Sequence, residues 1–314
     1  MSRVGGVVAI HNHVRWAEAA IRTLAAEVDA LVVVDDGSTD GSAELVAALA
    51  AEIGFRTIRH LEPRGVSEAY NAAVEAVDAD VVLIQGGDDR TLTGRAAASA
   101  AALADPSVSL VHSQPILIDA LDRRLPDDVG SEFQDFGAQD PLPILFTHGN
   151  FVCAPSAALR RADYLAAGGF PSNIDQLQDY ALWLELAARG RLVRLPEPVI
   201  EYRKHAGNLS RQVSMAASPR VRREAFERDW IRNRFIDNAR EATLSRLGAI
   251  PDAGVALSPP ERRLLLRLGS QDPGLVRRGL TDLFDLLATD GDRILEQFGI
   301  DRRALSELVQ LSSG

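Results

Sequence analysis

The chain is short of the features that would tie it to a membrane, an oxidising compartment or a nucleic acid. It has a single cysteine, Cys153, in 314 residues, so no internal disulfide forms, as expected of a protein kept under reducing conditions. No apolar run approaches the roughly 20 residues of a membrane span, and the opening MSRVGGVVAIHNH lacks the apolar core and small-residue cleavage site of a secretory signal. A cytoplasmic protein with at most peripheral membrane contact is expected. Positive charge is scarce too: 34 Lys and Arg against 44 Asp and Glu give a net charge of −10. That balance excludes attraction of the whole surface to nucleic acid, so any phosphate must be gripped locally. Lys204 is the sole lysine among the basic side chains, the rest being arginine; together with abundant alanine, this is compositional bias without functional content. Also missing is a G-x-G-x-x-G after the first apolar run, which removes the phosphate-binding device of a dinucleotide fold.

What is present is a rhythm. Val7 to Ile10 reads as a strand, Arg15 to Glu27 as a helix, Ala30 to Asp35 as a strand and Ser42 to Ile53 as a helix. A strand at Phe55 to His60, a helix at Val66 to Val77 and a strand at Val81 to Gln85 follow. This alternation predicts a mostly parallel sheet covered by helices on both faces. From Val108 to about Ser210 the pattern is less regular, with short strands expected near Val108–His112, Pro115–Asp119, Phe151–Pro155 and Val199–Tyr202, and a helix over Asp175–Arg189. Beyond residue 210, Leu264, Leu265 and Leu268, then Leu280, Leu283, Phe284 and Leu287, mark amphipathic helices. Their apolar faces are expected to pack either on the preceding domain or on a second copy, which would make a homodimer.

Chemistry concentrates at the ends of two strands. The run VVVDDGSTDGS closes an apolar stretch with Asp35, Asp36 and a glycine turn, and DVVLIQGGDD repeats the device with Gly86, Gly87, Asp88 and Asp89. Open α/β sheets bind ligands at the carboxyl ends of their strands, so two such carboxylate pairs suggest a grip on an organic ligand and on a divalent metal. His11 and His13 are read as ordinary strand-end residues rather than a metal pair, and Cys153 as core.

In order, VVAIHNH, VVDDGSTDGS, GVSEAYNAAVEAVDADVVLIQGGDD, GGFPSNIDQLQDYALWLELAARG and YRKHAGNLS resemble the successive motifs of family-2 inverting glycosyltransferases of GT-A fold. The resemblance covers roughly residues 5 to 210. It implies a nucleotide-sugar-binding half over 1–112, an acceptor-binding half over 113–210 and, outside the resemblance, a helical extension over 211–314. The implied reaction moves a sugar from a nucleotide diphosphate sugar, UDP or dTDP by preference, to an acceptor hydroxyl in a single displacement. By the same resemblance Asp36, with Asp35 second, accepts the base N–H; Asn12 and Arg64 line the nucleotide; Asp88, Asp89 and His205 are the candidates for a manganese or magnesium site; and Asp179 is the catalytic base. Asp89 either joins the metal or orients its neighbours, and Arg203 is a candidate phosphate partner. His148 and Asn150 fall on the acceptor side, whose ligand the sequence does not name. Two positions depart from the pattern: Gly86 stands where a DxD motif has a carboxylate, and Gln178 replaces a common glutamate. They keep a non-catalytic sugar-nucleotide-binding protein as the alternative. A pyrophosphorylase would open on a glycine-rich basic loop, which IHNHVRW is not.

Overall fold

The structure, a computed structural model, describes residues 2–126, 133, 136, 137, 139–208, 218–247 and 257–298, with 303, 306, 307 and 309 beyond them. Two compact units result, 1–216 and 217–314.

The first unit is built on a seven-stranded sheet in the order β3-β2-β1-β4-β8-β6-β9. Its strands are β1 (Val4–Ile10), β2 (Ala30–Asp36), β3 (Arg56–His60), β4 (Val81–Gly86), β6 (Val108–Ser113), β8 (Ala158–Arg160) and β9 (Arg191–Leu195). All neighbours run parallel except β8, which is antiparallel to both β4 and β6. A smaller sheet, in the order β5-β10-β7, joins β5 (Arg90–Thr91), β10 (Ile200–Lys204) and β7 (Ile116–Asp119). The helices are α1 (Ala17–Ala25), α2 (Ser42–Ile53), α3 (Val66–Ala76), α4 (Arg95–Leu103), α5 (Pro141–His148), α6 (Arg161–Ala166) and α7 (Gln178–Arg189). This is the helix-covered, mostly parallel α/β architecture that the alternating pattern predicts, of the GT-A type that the resemblance implies.

The central strands are apolar on both faces because helices cover both. Val8, Val33 and Leu83 are buried with Ile21 and Leu24 of α1 and Val46 and Leu49 of α2. Gly5 and Gly6 lie inside β1 rather than ahead of it. A Cβ on Gly6 would stand 2.7 Å from a Leu24 methyl, and one on Gly5 2.6 Å from a Val77 methyl, so the neighbours pack directly on the bare backbone.

Several expectations shift. Phe151–Pro155 is not a strand: Ala154–Ser156 forms one 3-10 turn and the strand comes later, at Ala158–Arg160. The helix expected from Asp175 begins at Gln178. In the second unit α8 (Pro219–Asn238), α9 (Glu241–Leu247), α10 (Pro259–Leu268) and α11 (Pro273–Phe298) form the helical extension. Pro259 and Pro260 start α10 behind a Ser258/Glu261 capping box, where their missing N–H groups cost nothing. Leu264 and Leu283 are buried with Leu268, Leu286 and Leu287 packed around them, whereas Phe284 is 50% exposed and lies off that stripe. Arg267, 2% exposed, ties this unit together through Asp237 and Asp282, each at 2.5 Å. Among the described residues no helix is long and apolar enough to cross a membrane.

Candidate active site

Parallel register sets Ile10 beside Asp35, Asp36 beside His60, and Ala9 beside Gly86. The ends of β1, β2 and β4, with the turns that follow them, therefore open on one edge of the sheet. At β2, Asp36 is buried and holds the connection to α3: its Oδ1 accepts from His60 Nδ1 at 2.6 Å and from the Arg64 amide at 2.8 Å, and its Oδ2 accepts from the Gly65 amide at 2.8 Å. A carboxylate offers about four lone-pair sites, so three donors leave room for one more, on Oδ2. Asp35 Oδ2 accepts from the Ser38 amide, while Oδ1 is buried without a partner. Asn12 sits in the left-handed region at φ 57°, and its Oδ1 accepts from the Thr39 amide at 2.8 Å. His11 donates from Nδ1 to the Asp36 carbonyl, which leaves Nε2 to accept from the Asn12 amide. Asn12 thus shapes the Ser38–Thr39 turn while His11 holds the end of β2, and Arg64 is exposed.

At β4 the geometry is of another kind. Asp88 Oδ2 accepts from His205 Nε2 at 2.8 Å and lies 4.0 Å from His13 Nε2. One donor atom from each of these three residues falls within 4.8 Å of the others, a cluster of the size that encloses a cation. Burial works to raise the Asp88 pKa, but the His205 hydrogen bond and the two imidazoles outweigh it, and the carboxyl titrates below its usual range. Burial, opposed in part by the Asp88 charge, lowers His13. An ionised carboxylate and a neutral imidazole are the forms that ligate metals. Asp89 is different: it is 1% exposed, its Oδ1 accepts from the Arg203 amide at 2.9 Å, and its Oδ2 has no partner. Burial and then the charge of Asp88 push it well above the usual range, which suits the orienting role rather than that of ligand.

Gly86 and Gly87 clear the space. A Cβ on Gly86 would stand 2.7 Å from both Asp88 Oδ1 and Asp89 Oδ2, and one on Gly87 would meet Ile10 at 2.7 Å and His13 Nδ1 at 2.8 Å. A side chain at position 86 would therefore have to displace the Asp88 and Asp89 carboxylates. Gly86→Asp is expected to lose about 1–3 kcal/mol of stability through overpacking and to weaken manganese binding rather than add a ligand; thermal denaturation with a metal titration checks it, and a tighter site at unchanged stability would refute it.

Arg203 does not face open space. It is 1% exposed, donating to the Asp88 carbonyl at 2.7 Å and the Asp119 carbonyl at 2.8 Å, and pairing with Asp122 at 2.6 Å. The expectation that it pairs with phosphate is corrected: its guanidinium is spent riveting β10 to the ends of β4 and β7. That rivet sets His205 two residues on, and Trp16 lies against the His205 ring with centroids 4.3 Å apart.

Asp179 occupies the first turn of α7, half-buried. Desolvation, only partly offset by the Tyr180 amide and Asn150, pushes its pKa up to about 6. Asn150 donates from Nδ2 to Asp179 Oδ2 at 2.8 Å while its own Oδ1 accepts from the Val152 amide at 3.0 Å, so the amide is oriented at both ends. His148, by contrast, is exposed and pairs with Thr147 Oγ1 at 2.9 Å. The stretch leading into α7 is pinned to α3 by Ser67 Oγ donating to the Pro171 carbonyl and by Asn71 Nδ2 donating to the Phe170 carbonyl. Asp36 anchors the loop ahead of the same helix, so α3 links the β2 end to the segment that carries Asp179.

Read from the sequence as an ordinary strand-end residue, His13 instead joins Asp88 and His205 in the structure, while Trp16 and His60 were not singled out at all. His13 had a signal, since it follows Asn12 at the end of the first strand, but its partners Asp88 and His205 lie far along the chain.

Comparison with known proteins agrees with this geometry. The family model described as glycosyl transferase family 2 matches residues 7–167. An uncharacterised protein of Mycobacterium tuberculosis, MT1568, is 30% identical over 213 residues, 64% of this chain and 64% of that relative's length. The crystal structure of Staphylococcus aureus TarS 1–349 in complex with UDP-GlcNAc is similar with a TM-score of 0.58 at 16% identity, over 99% of this chain and 81% of that one. The mannosyltransferase PcManGT of Pyrobaculum calidifontis, in complex with GDP-Man and Mn2+, gives 0.53 at 19% identity over 99% and 86%. With a family model spanning half of its length and the strand ends of that fold in place, the chain belongs to glycosyl transferase family 2.

Proposed function

We propose that the protein transfers a sugar from a uridine or thymidine diphosphate sugar to an acceptor hydroxyl with inversion, in one displacement. The observation that carries this reading is Asp179, a carboxyl tuned to about 6 and oriented by Asn150. A general base works best with a pKa near the operating pH. The acceptor oxygen attacks the anomeric carbon, its proton passes to Asp179, and the bond to the diphosphate breaks to release the nucleoside diphosphate. Asp88, His205 and His13 fit a divalent ion, their donor atoms being clustered and of ligating type. Such an ion supplies positive charge toward the departing diphosphate. Residues 1–112 are assigned to the donor and 113–210 to the acceptor, in the cytoplasm.

The choice of nucleotide rests on Asp36. Its one open lone pair suits the single N–H of uracil or thymine, whereas guanine presents paired donors that want both carboxylate oxygens. Asp36→Asn is expected to weaken UDP binding by about 10- to 100-fold, since hydrogen bonds to charged groups are worth about 1.5–3 kcal/mol. Calorimetry with UDP, dTDP and GDP measures it; unchanged UDP affinity would move the base contact elsewhere, with Asp35→Asn as the next variant. The activity itself is tested by incubating a panel of UDP-, dTDP- and GDP-sugars with manganese and acceptor mixtures and scoring nucleotide release. Binding without release for every donor would favour a non-catalytic module.

A further inference from the structure

We propose that His13 is a third ligand of the metal site, and that two imidazoles and one carboxylate make the site select a divalent transition-metal ion over magnesium and calcium. The proposal rests on the reading that this edge of the sheet holds a divalent ion.

Two observations carry it independently. The first is space: Gly86 offers no ligand, and a side chain there would displace the Asp88 and Asp89 carboxylates, while the bare backbone of the neighbouring Gly87 leaves room for the His13 ring. The second is the ring's lack of other employment. A structural histidine normally has its nitrogens satisfied, yet in the half-buried His13 ring Nδ1 is enclosed beside Gly87 with no hydrogen-bond partner, and Nε2 is the nitrogen that faces the carboxylate. Its Nε2 stands 4.0 Å from Asp88 Oδ2, beyond hydrogen-bond reach. Two donors each about 2.1 Å from one ion stand about 3 to 4 Å apart, so that spacing suits shared ligation. The backbone meanwhile fixes the residue firmly: the His13 amide donates to Ser42 Oγ at 3.0 Å, and its carbonyl accepts from the Trp16 and Ala17 amides at 2.9 and 2.8 Å. His205 closes the set from β10, its ring 6.2 Å from that of His13.

The donor chemistry follows. Magnesium and calcium take oxygen ligands, and magnesium gives up water reluctantly. Imidazole nitrogens favour later divalent metals of the first transition row. A site with two nitrogens and one oxygen therefore discriminates where an all-carboxylate site would not.

The test uses the full chain with UDP present. Manganese and magnesium are titrated calorimetrically into the native protein, His13→Ala and His13→Asp; native protein is expected to prefer manganese by about tenfold or more, with the preference falling in His13→Ala and moving toward magnesium in His13→Asp. Electron–nuclear double resonance on Mn(II) bound to native protein carrying 15N-labelled histidine needs no variant: couplings from two imidazoles support the proposal. Coupling from one imidazole, or equal manganese and magnesium affinity in the native protein, overturns it. These readouts are independent of sugar transfer. Two-imidazole ligation in a protein that transfers nothing would sink the glycosyltransferase reading alone, and transfer with single-imidazole ligation would sink this one alone.

Discussion

Asp179→Asn is expected to slow sugar transfer by about 10² to 10⁴ while the sugar nucleotide still binds. A base that acts only in the displacement lowers kcat far more than it alters donor affinity. The substitution keeps the size of the side chain and removes a charge that burial disfavours, so the variant should melt no lower than the native protein at neutral pH. Its pKa of about 6 lies above the ordinary carboxyl value of 3.8, which fixes the sign of the pH response. Transfer needs the carboxylate, so kcat/KM should fall as pH drops through about 6, and this limb should vanish in Asp179→Asn. Asn150 stabilises the ionised form, so Asn150→Ala should move the limb to higher pH. Stability runs the other way: as pH falls from the folded toward the unfolded value, the desolvated carboxyl takes up a proton and the folded state gains. Proton NMR at the product's anomeric centre completes the test, because single displacement yields inverted configuration; retention would rule the mechanism out, and a fully active Asp179→Asn would move the base elsewhere.

Asp88→Ala should abolish metal binding and reduce turnover by about 10³, the equivalent of about 4 kcal/mol of lost charge stabilisation. The scaffold should survive, because Arg203 grips the Asp88 carbonyl rather than its carboxylate. Burial, the main cause that raises the Asp89 pKa, remains, but the Asp88 charge that adds to it disappears, so the Asp89 pKa should come down part of the way in the variant. Excess chelator should bring the native protein down to the level of the variant and have no further effect on the variant itself. Full turnover in chelator would remove the ion from the mechanism.

The parts of this fold legible in the sequence are those held by local pattern. β1, β2 and β4 announce themselves because strands buried on both faces must be continuously apolar, and each ends on the polar turn that a strand-end site requires. Asp88, His205 and Asp179 are recognisable from short motifs. What was not legible depends on partners far along the chain. Asp36 and Asp35 are adjacent and alike in sequence, and only the register of β2 with β3 gives Asp36 to His60 and the Arg64–Gly65 amides. Arg203 reads as a phosphate ligand until the turns at Asp119 and Asp122 are seen to consume its donors. His13 reads as an ordinary polar residue until β10, nearly two hundred positions later, brings His205 to face it.

The antiparallel strand β8 has a consequence for how the protein is made. Among the described residues it supplies the sheet partner of β4 on the side away from β1, and it is also what joins β6 to the rest. A nascent chain that has emerged only as far as residue 112 carries four parallel strands with one bare, apolar edge, and β5 and most of β6 with nothing to pair with. At about 5–20 residues per second, that edge waits some seconds for residues 158–160 to leave the ribosome. Unpaired edges of this kind recruit other chains. Residues 1–112, though they hold most of the recognisable motifs, are therefore not expected to fold on their own, and a fragment cut at residue 112 should be recovered as aggregate.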